Sequence, residues 1–195
     1  FTFSDLVKEE SRYFQLVTND YWGQSSYSQI ESYFVTTTFQ KYFGGSSQDV
    51  GRSTQQTADG GYIITGSTSS QGYGGDDFLL IKTDSSGNEE WDQAYGGGDQ
   101  DVGYSVQQTN DGGFIITGVT YSFGSGSGDV WLIKTDYLGT REWDQTFGSS
   151  TDDGGSSVKQ TLDNGFIVVG KTQSTDSGAY DVWLIKTDSQ GNEEW

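Results

Sequence analysis

The chain has 195 residues, a net charge of −18, and no Cys, His, Pro or Met. Lacking Cys and His, it has no means of forming disulfides, the usual zinc sites, or Ser-His-Asp and Cys-His catalytic groups. The negative charge disfavours a phosphate backbone or an anionic membrane surface as partner, and no apolar run is long enough to span a bilayer. The 29 glycines, with aromatics at 15 % beside 31 % hydrophobic residues, favour strands joined by tight turns. Without Met, the chain is expected to be a processed product or part of a longer one.

Residues 1–11 (FTFSDLVKEES) fall outside any repeat and are expected to form a short helix or an added edge strand. As the segment beyond the repeats, they are the expected docking element. Residues 12–41 read as a degenerate repeat copy, with Phe39 lying 52 positions before Trp91. Residues 42–93, 94–145 and 146–195 are then three gapless copies of one unit. Asp49, Asp101 and Asp153 recur at an interval of 52, as do Gly66, Gly118 and Gly170, and Trp91, Trp143 and Trp195.

Turn signals divide each copy into four strands. The first is RSTQQT, YSVQQT or SSVKQT, followed by a hairpin turn ADGG, NDGG or LDNG. The second is YIITG, FIITG or FIVVG, ending in the recurrent glycine, which predicts a close backbone approach where units crowd a central channel. A Gly/Ser-rich loop leads to DFLLIKT or DVWLIKT, and a short turn leads to EEWDQ, REWDQ or EEW. The second and third strands are nearly continuous apolar runs, the mark of strands covered on both faces. Hairpins make consecutive strands antiparallel. The expected fold is therefore all-β: a β-propeller built of four-stranded antiparallel blades, three clear and one degenerate, over residues 12–195.

The run Q-x-T-x-D-G-G-[YF]-I-I-x-G-x-T, followed by D-x-x-L-I-K-T-D-x-x-G-x-x-x-W, resembles secreted bacterial and archaeal surface proteins of the delta-60 and PQQ-like repeat neighbourhood. The resemblance covers residues 42–195. It implies a secreted or cell-surface setting and carries no catalytic residues.

Several residue sets are candidates for chemistry. Asp49, Asp101 and Asp153, in the Asp-x-Gly element, offer carboxylates on bent glycine loops, where calcium finds oxygen ligands. The structural alternative is an Asx-turn or a bond between units. Lys82, Lys134 and Lys186 interrupt an apolar strand and need partners, expected from the Asp-x-Gly loop or from Glu90, Glu142 and Glu194. Asp77, Asp129 and Asp181 precede the third strand and are expected to cap loops. Tyr73, Tyr121, Phe123 and Tyr180 vary between copies in the long loop, where rings can stack on sugars.

No carboxylate pair stands out as catalytic, so the chain reads as a non-enzyme. The expected function is a structural, adhesive or self-assembling extracellular module, such as a surface-layer or filament subunit. Its partners are copies of itself or other surface proteins. A carbohydrate- or calcium-dependent lectin is the first alternative and a glycoside hydrolase the second. No cofactor is expected beyond calcium.

Overall fold

The computed structural model describes residues 6–8, 11–13, 17–19, 25–27, 40–173 and 178–195. The chain divides into two units, Phe1–Phe39 and Gln40–Trp195. In the first, β1 (Leu6–Lys8) pairs antiparallel with β2 (Ser11–Tyr13), and β3 (Val17–Asn19) with β4 (Ser25–Tyr27). The reading of residues 12–41 as a degenerate copy lies largely outside the described residues.

The second unit holds three separate antiparallel sheets. Sheet 1 comprises β5 (Asp49–Gln56), β6 (Tyr62–Thr68), β7 (Asp77–Thr83) and β8 (Glu89–Tyr95), in that order. Sheet 2 repeats it as β9 (Asp101–Gln108), β10 (Phe114–Thr120), β11 (Asp129–Thr135) and β12 (Arg141–Phe147). Sheet 3 has three strands, β13 (Gly154–Gln160), β14 (Phe166–Thr172) and β15 (Asp181–Thr187). The β5–β6, β9–β10 and β13–β14 turns place Gly60, Gly112 and Asn164 at φ of 87°, 89° and 66°, the left-handed conformation that Gly and Asn tolerate best. No helix among the described residues is long and apolar enough to cross a membrane.

Cross-strand partners share a sheet face. Ile63–Lys82, Thr65–Leu80 and Ser67–Phe78 therefore lie on one face of sheet 1, here called its leading face. Ile63, Phe78 and Leu80 on this face form one core with Val106, Phe114, Ile116, Trp131 and Ile133 from the opposite, trailing face of sheet 2. Phe78 meets Trp131 edge-on at 4.9 Å. The leading face of sheet 2 in turn supplies Ile115, Val130 and Leu132 to a second core with Val158, Phe166, Val168 and Ile185 of sheet 3. The inner strands β10 and β11 are thus buried along their whole length, which explains their unbroken apolar sequences.

The expected β-propeller is not what forms. The architecture is all-β and repetitive, but the described residues make separate sheets with no closure into a ring. A ring needs every leading face to be covered, whereas on sheet 3 Val182 is 85 % and Leu184 47 % exposed. The repeat dictates how one sheet packs on the next. It does not dictate the contact between the last sheet and the first.

The recurrent glycine also has a different reason from the one expected. A Cβ at Gly118 would lie 1.9 Å from the Val102 carbonyl oxygen, on the neighbouring strand of the same sheet, and 2.7 Å from Phe78 Cζ. The register of β9 against β10 shifts beside this glycine, so a bulge presses one backbone onto the other. Gly118→Ala is expected to destabilise by about 3 kcal/mol, the upper part of the range for overpacking, measured as a lowered urea midpoint at unchanged slope.

Candidate functional site: the uncovered face of the third sheet

Strand β15 carries the same seven residues, DVWLIKT, as β11. In β11 all seven are buried, whereas in β15 the first four are partly or largely exposed. Val182 and Leu184 occupy the positions of Val130 and Leu132, both at 0 % exposure in sheet 2. Val169, opposite Leu184 on β14, is also exposed, and Lys171 lies opposite Val182. Together these residues make an apolar patch, and Lys159 and Lys186, in register with Ile167, share its face with Lys171.

In sheets 1 and 2 a fourth strand pairs with the third, from Phe78–Tyr95 and Val130–Phe147 onward. In sheet 3 a bridge from Thr187 to Glu193 and hydrogen bonds between Lys186 and residues 194–195 begin the same pairing. Burying Val182 and Leu184 fully would contribute about 2 kcal/mol each.

Below this face the sheet is held by the lysine of the third strand. Lys82 Nζ, 2.8 Å from both Asp59 and Glu90, also donates to the Thr83 carbonyl at 2.9 Å. Lys134 repeats this with Asp111, Glu142 and Thr135, and Lys186 with Asp163, Glu194 and Thr187. The ammonium therefore ties the hairpin turn before the second strand to the fourth-strand segment. Burial pushes Lys82 toward neutrality, but its bonds to Asp59 and Glu90 outweigh this and hold it above its ordinary value. The glutamates are the partners expected from the sequence. The second partner is the hairpin-turn Asp rather than the Asp-x-Gly carboxylate. A sign of it was present in the recurrent T-x-D-[GN] turn, where the Thr hydroxyl and the following Gly N–H position the Asp, as at Thr57, Asp59 and Gly61.

The other predicted residues are dispersed. Asp49 is partly exposed, accepting from the Thr68 hydroxyl, the Gly45 N–H and the Ser70 hydroxyl. Asp101 and Asp153 are fully buried, at the junctions between sheets. Asp77 and Asp129 are buried as well, and each accepts a loop N–H, from Tyr73 and Ser125 respectively. Asp181 is exposed at the start of β15. Among the described residues, no three acidic side chains gather as a metal-ligand group.

Of the loop aromatics, Tyr121 and Tyr180 are brought together, both donating to Asp152. Lys171 bonds the same carboxylate at 2.6 Å and lies 4.0 Å from the centre of the Tyr180 ring. Phe123 packs on Trp131 instead, and Tyr73 stands apart, 77 % exposed. Tyr121 and Lys171 line an open groove of about 540 Å³ with Arg52, Tyr104 and the glycine backbone of β13, and there Arg52 stacks on Tyr104. Sequence reasoning missed Arg52 and Tyr104 because the groove arises only where β5, β9 and β13 come together. Compared with protein-family models and with curated proteins, the chain matches none.

Proposed function

We propose that this chain is a structural, self-assembling module of an extracellular or cell-surface setting, and that the leading face of sheet 3 takes a further sheet of the same repeat, which a second copy can supply. The observation that carries the reading is the contrast between β11 and β15, identical in sequence but different in exposure over their first four residues. The leading faces of sheets 1 and 2 are each occupied by the next sheet. A further repeat sheet is therefore the occupant whose chemistry fits the same face of sheet 3. The extracellular setting rests on the sequence resemblance alone. Sedimentation and electron microscopy of the purified chain test the proposal. Oligomers or filaments that grow with concentration are expected, and a chain that stays monomeric at every concentration sinks it.

A second reading, ligand binding in the groove, is favoured by the placement there of Arg52 and Lys171, two of only ten cations in the chain, beside Tyr104 and Tyr121. Aromatic faces with cations suit an acidic sugar. Binding on a glycan array, abolished by Tyr104→Ala, is the result this reading requires.

A further inference from the structure

Each junction between sheets buries two carboxylates together. Asp77, at the start of β7, and Asp101, at the start of β9, are both 0 % exposed. Asp129 and Asp153 repeat the arrangement between sheets 2 and 3, at 1 % and 0 %. The members of each pair converge on one glycine. A Cβ at Gly96 would lie 1.6 Å from Asp77 Oδ1 and 2.7 Å from Asp101 Oδ2, and one at Gly148 would lie 1.8 Å from Asp129 Oδ1 and 3.0 Å from Asp153 Oδ2.

Oδ2 of each carboxylate is satisfied, and Asp153 Oδ1 also accepts the Gln173 N–H at 3.3 Å. Asp77 Oδ2 accepts the Tyr73 N–H at 2.7 Å, and Asp101 Oδ2 accepts the Gly97 N–H at 2.9 Å and the Ser122 hydroxyl at 2.8 Å. Asp129 Oδ2 and Asp153 Oδ2 accept the N–H groups of Ser125 and Ser149. The remaining oxygens of the first pair, Asp77 Oδ1 and Asp101 Oδ1, are enclosed and have no hydrogen-bond partner.

The salt bridges among the described residues engage other carboxylates, and none reaches these four. Two adjacent buried anions without a counter-charge are strongly disfavoured, and a cation or a proton between them relieves this. The enclosing loops also pack backbone on backbone, so that a Cβ at Gly74 would lie 2.3 Å from the Gly98 carbonyl oxygen. Carboxylates and loop carbonyls are the oxygen set that suits a hard divalent cation.

We propose that Asp77 and Asp101 share one calcium ion, with loop carbonyls completing its oxygen shell, so that the ion ties sheet 1 to sheet 2. The sequence pointed to Asp101, but not to the partner that the third strand of the preceding sheet supplies. Asp49, whose carboxylate is already satisfied, is not part of a pair.

Calcium titration of the full chain by calorimetry, with thermal unfolding in calcium or in chelator, tests this. The expected result is saturable uptake of one ion per chain, with Tm higher by about 5 °C at saturating calcium. Asp77→Asn and Asp101→Asn should each abolish that uptake, while Asp49→Asn leaves it intact. Circular dichroism establishes that the variants fold, and the wild-type stoichiometry is decisive even if they do not. Absence of saturable uptake overturns the proposal, as does uptake unchanged in all three variants, which would mark diffuse binding to the acidic surface. A wild-type protein indifferent to calcium but stabilised at mildly acid pH overturns it in favour of a shared proton, with Asp76 the further carboxylate beside Asp77.

Discussion

Val182→Lys is expected to leave the protein folded and abolish its self-association, whereas Val130→Lys, the same change in the same heptapeptide, is expected to unfold it. Val130 is enclosed in the core between sheets 2 and 3, with Leu132, Val158 and Phe166. An ammonium there has no partner and loses its hydration, a penalty of more than about 4 kcal/mol against a total stability of about 5–15 kcal/mol. Val182 is 85 % exposed, so the same ammonium remains in water and should change monomer stability by less than about 0.5 kcal/mol. In an assembly, however, it would be driven into an apolar interface at a cost like that of Val130. Pairing Val182→Lys with Leu184→Lys removes both central apolar contacts of the face. Urea unfolding and sedimentation, run on both positions, separate the two effects. If Val182→Lys leaves the oligomeric state unchanged, the third sheet is not the docking face.

Lys134→Glu is expected to be the most damaging single change in the ion-pair system, at about 4 kcal/mol. It would set a third carboxylate between Asp111 and Glu142, at a position only 4 % exposed. Lys134→Met keeps the apolar stem and removes the ammonium. Asp111 and Glu142 are themselves about half exposed and can turn to water, so this variant should lose only about 1–2 kcal/mol. Urea midpoints of the two variants check both the order and the gap between them. A Glu variant no worse than the Met variant would mean that the lysine acts by packing alone.

The same clusters give a pH dependence of defined sign. Asp59 is held below the ordinary carboxylate range chiefly by its hydrogen bond from Lys82, aided by the Thr57 hydroxyl and Gly61 N–H. Asp163 is held low chiefly by the Thr161 hydroxyl, then by the Gly165 N–H and Lys186. A carboxyl that is more acidic in the folded state contributes stability above its unfolded value of about 4, and that contribution is lost as pH falls through the depressed folded value. Asp77 and Asp129 work in the opposite direction, because burial raises them. Their ionisation weighs against folding as pH rises above about 4, unless for Asp77 a cation occupies the pair. In chelator, Tm should therefore respond to pH in both directions. Calcium should flatten the part due to the Asp77 and Asp101 pair and leave the acid loss at the turns.

Much of this protein could be read from its sequence alone. The interval of 52 residues, the D-G and D-N turns and the apolar runs define the sheets, their antiparallel order and the two inner strands of each, because a strand's alternation and a turn's φ are local properties. The need of Lys82, Lys134 and Lys186 for acidic partners was equally legible, since an ammonium in an apolar strand must be neutralised. Three features depended on the tertiary structure. One was the second lysine partner, which lies across a hairpin. Another was the pairing of Asp101 with Asp77 and of Asp153 with Asp129, which joins residues of adjacent sheets. The last was the open end that replaces the expected ring. The heptapeptide DVWLIKT is the same in β11 and β15, so no property of those seven residues distinguishes a core strand from an uncovered one. Burial is decided by what packs on the strand, and that contact is made between sheets rather than within the heptapeptide.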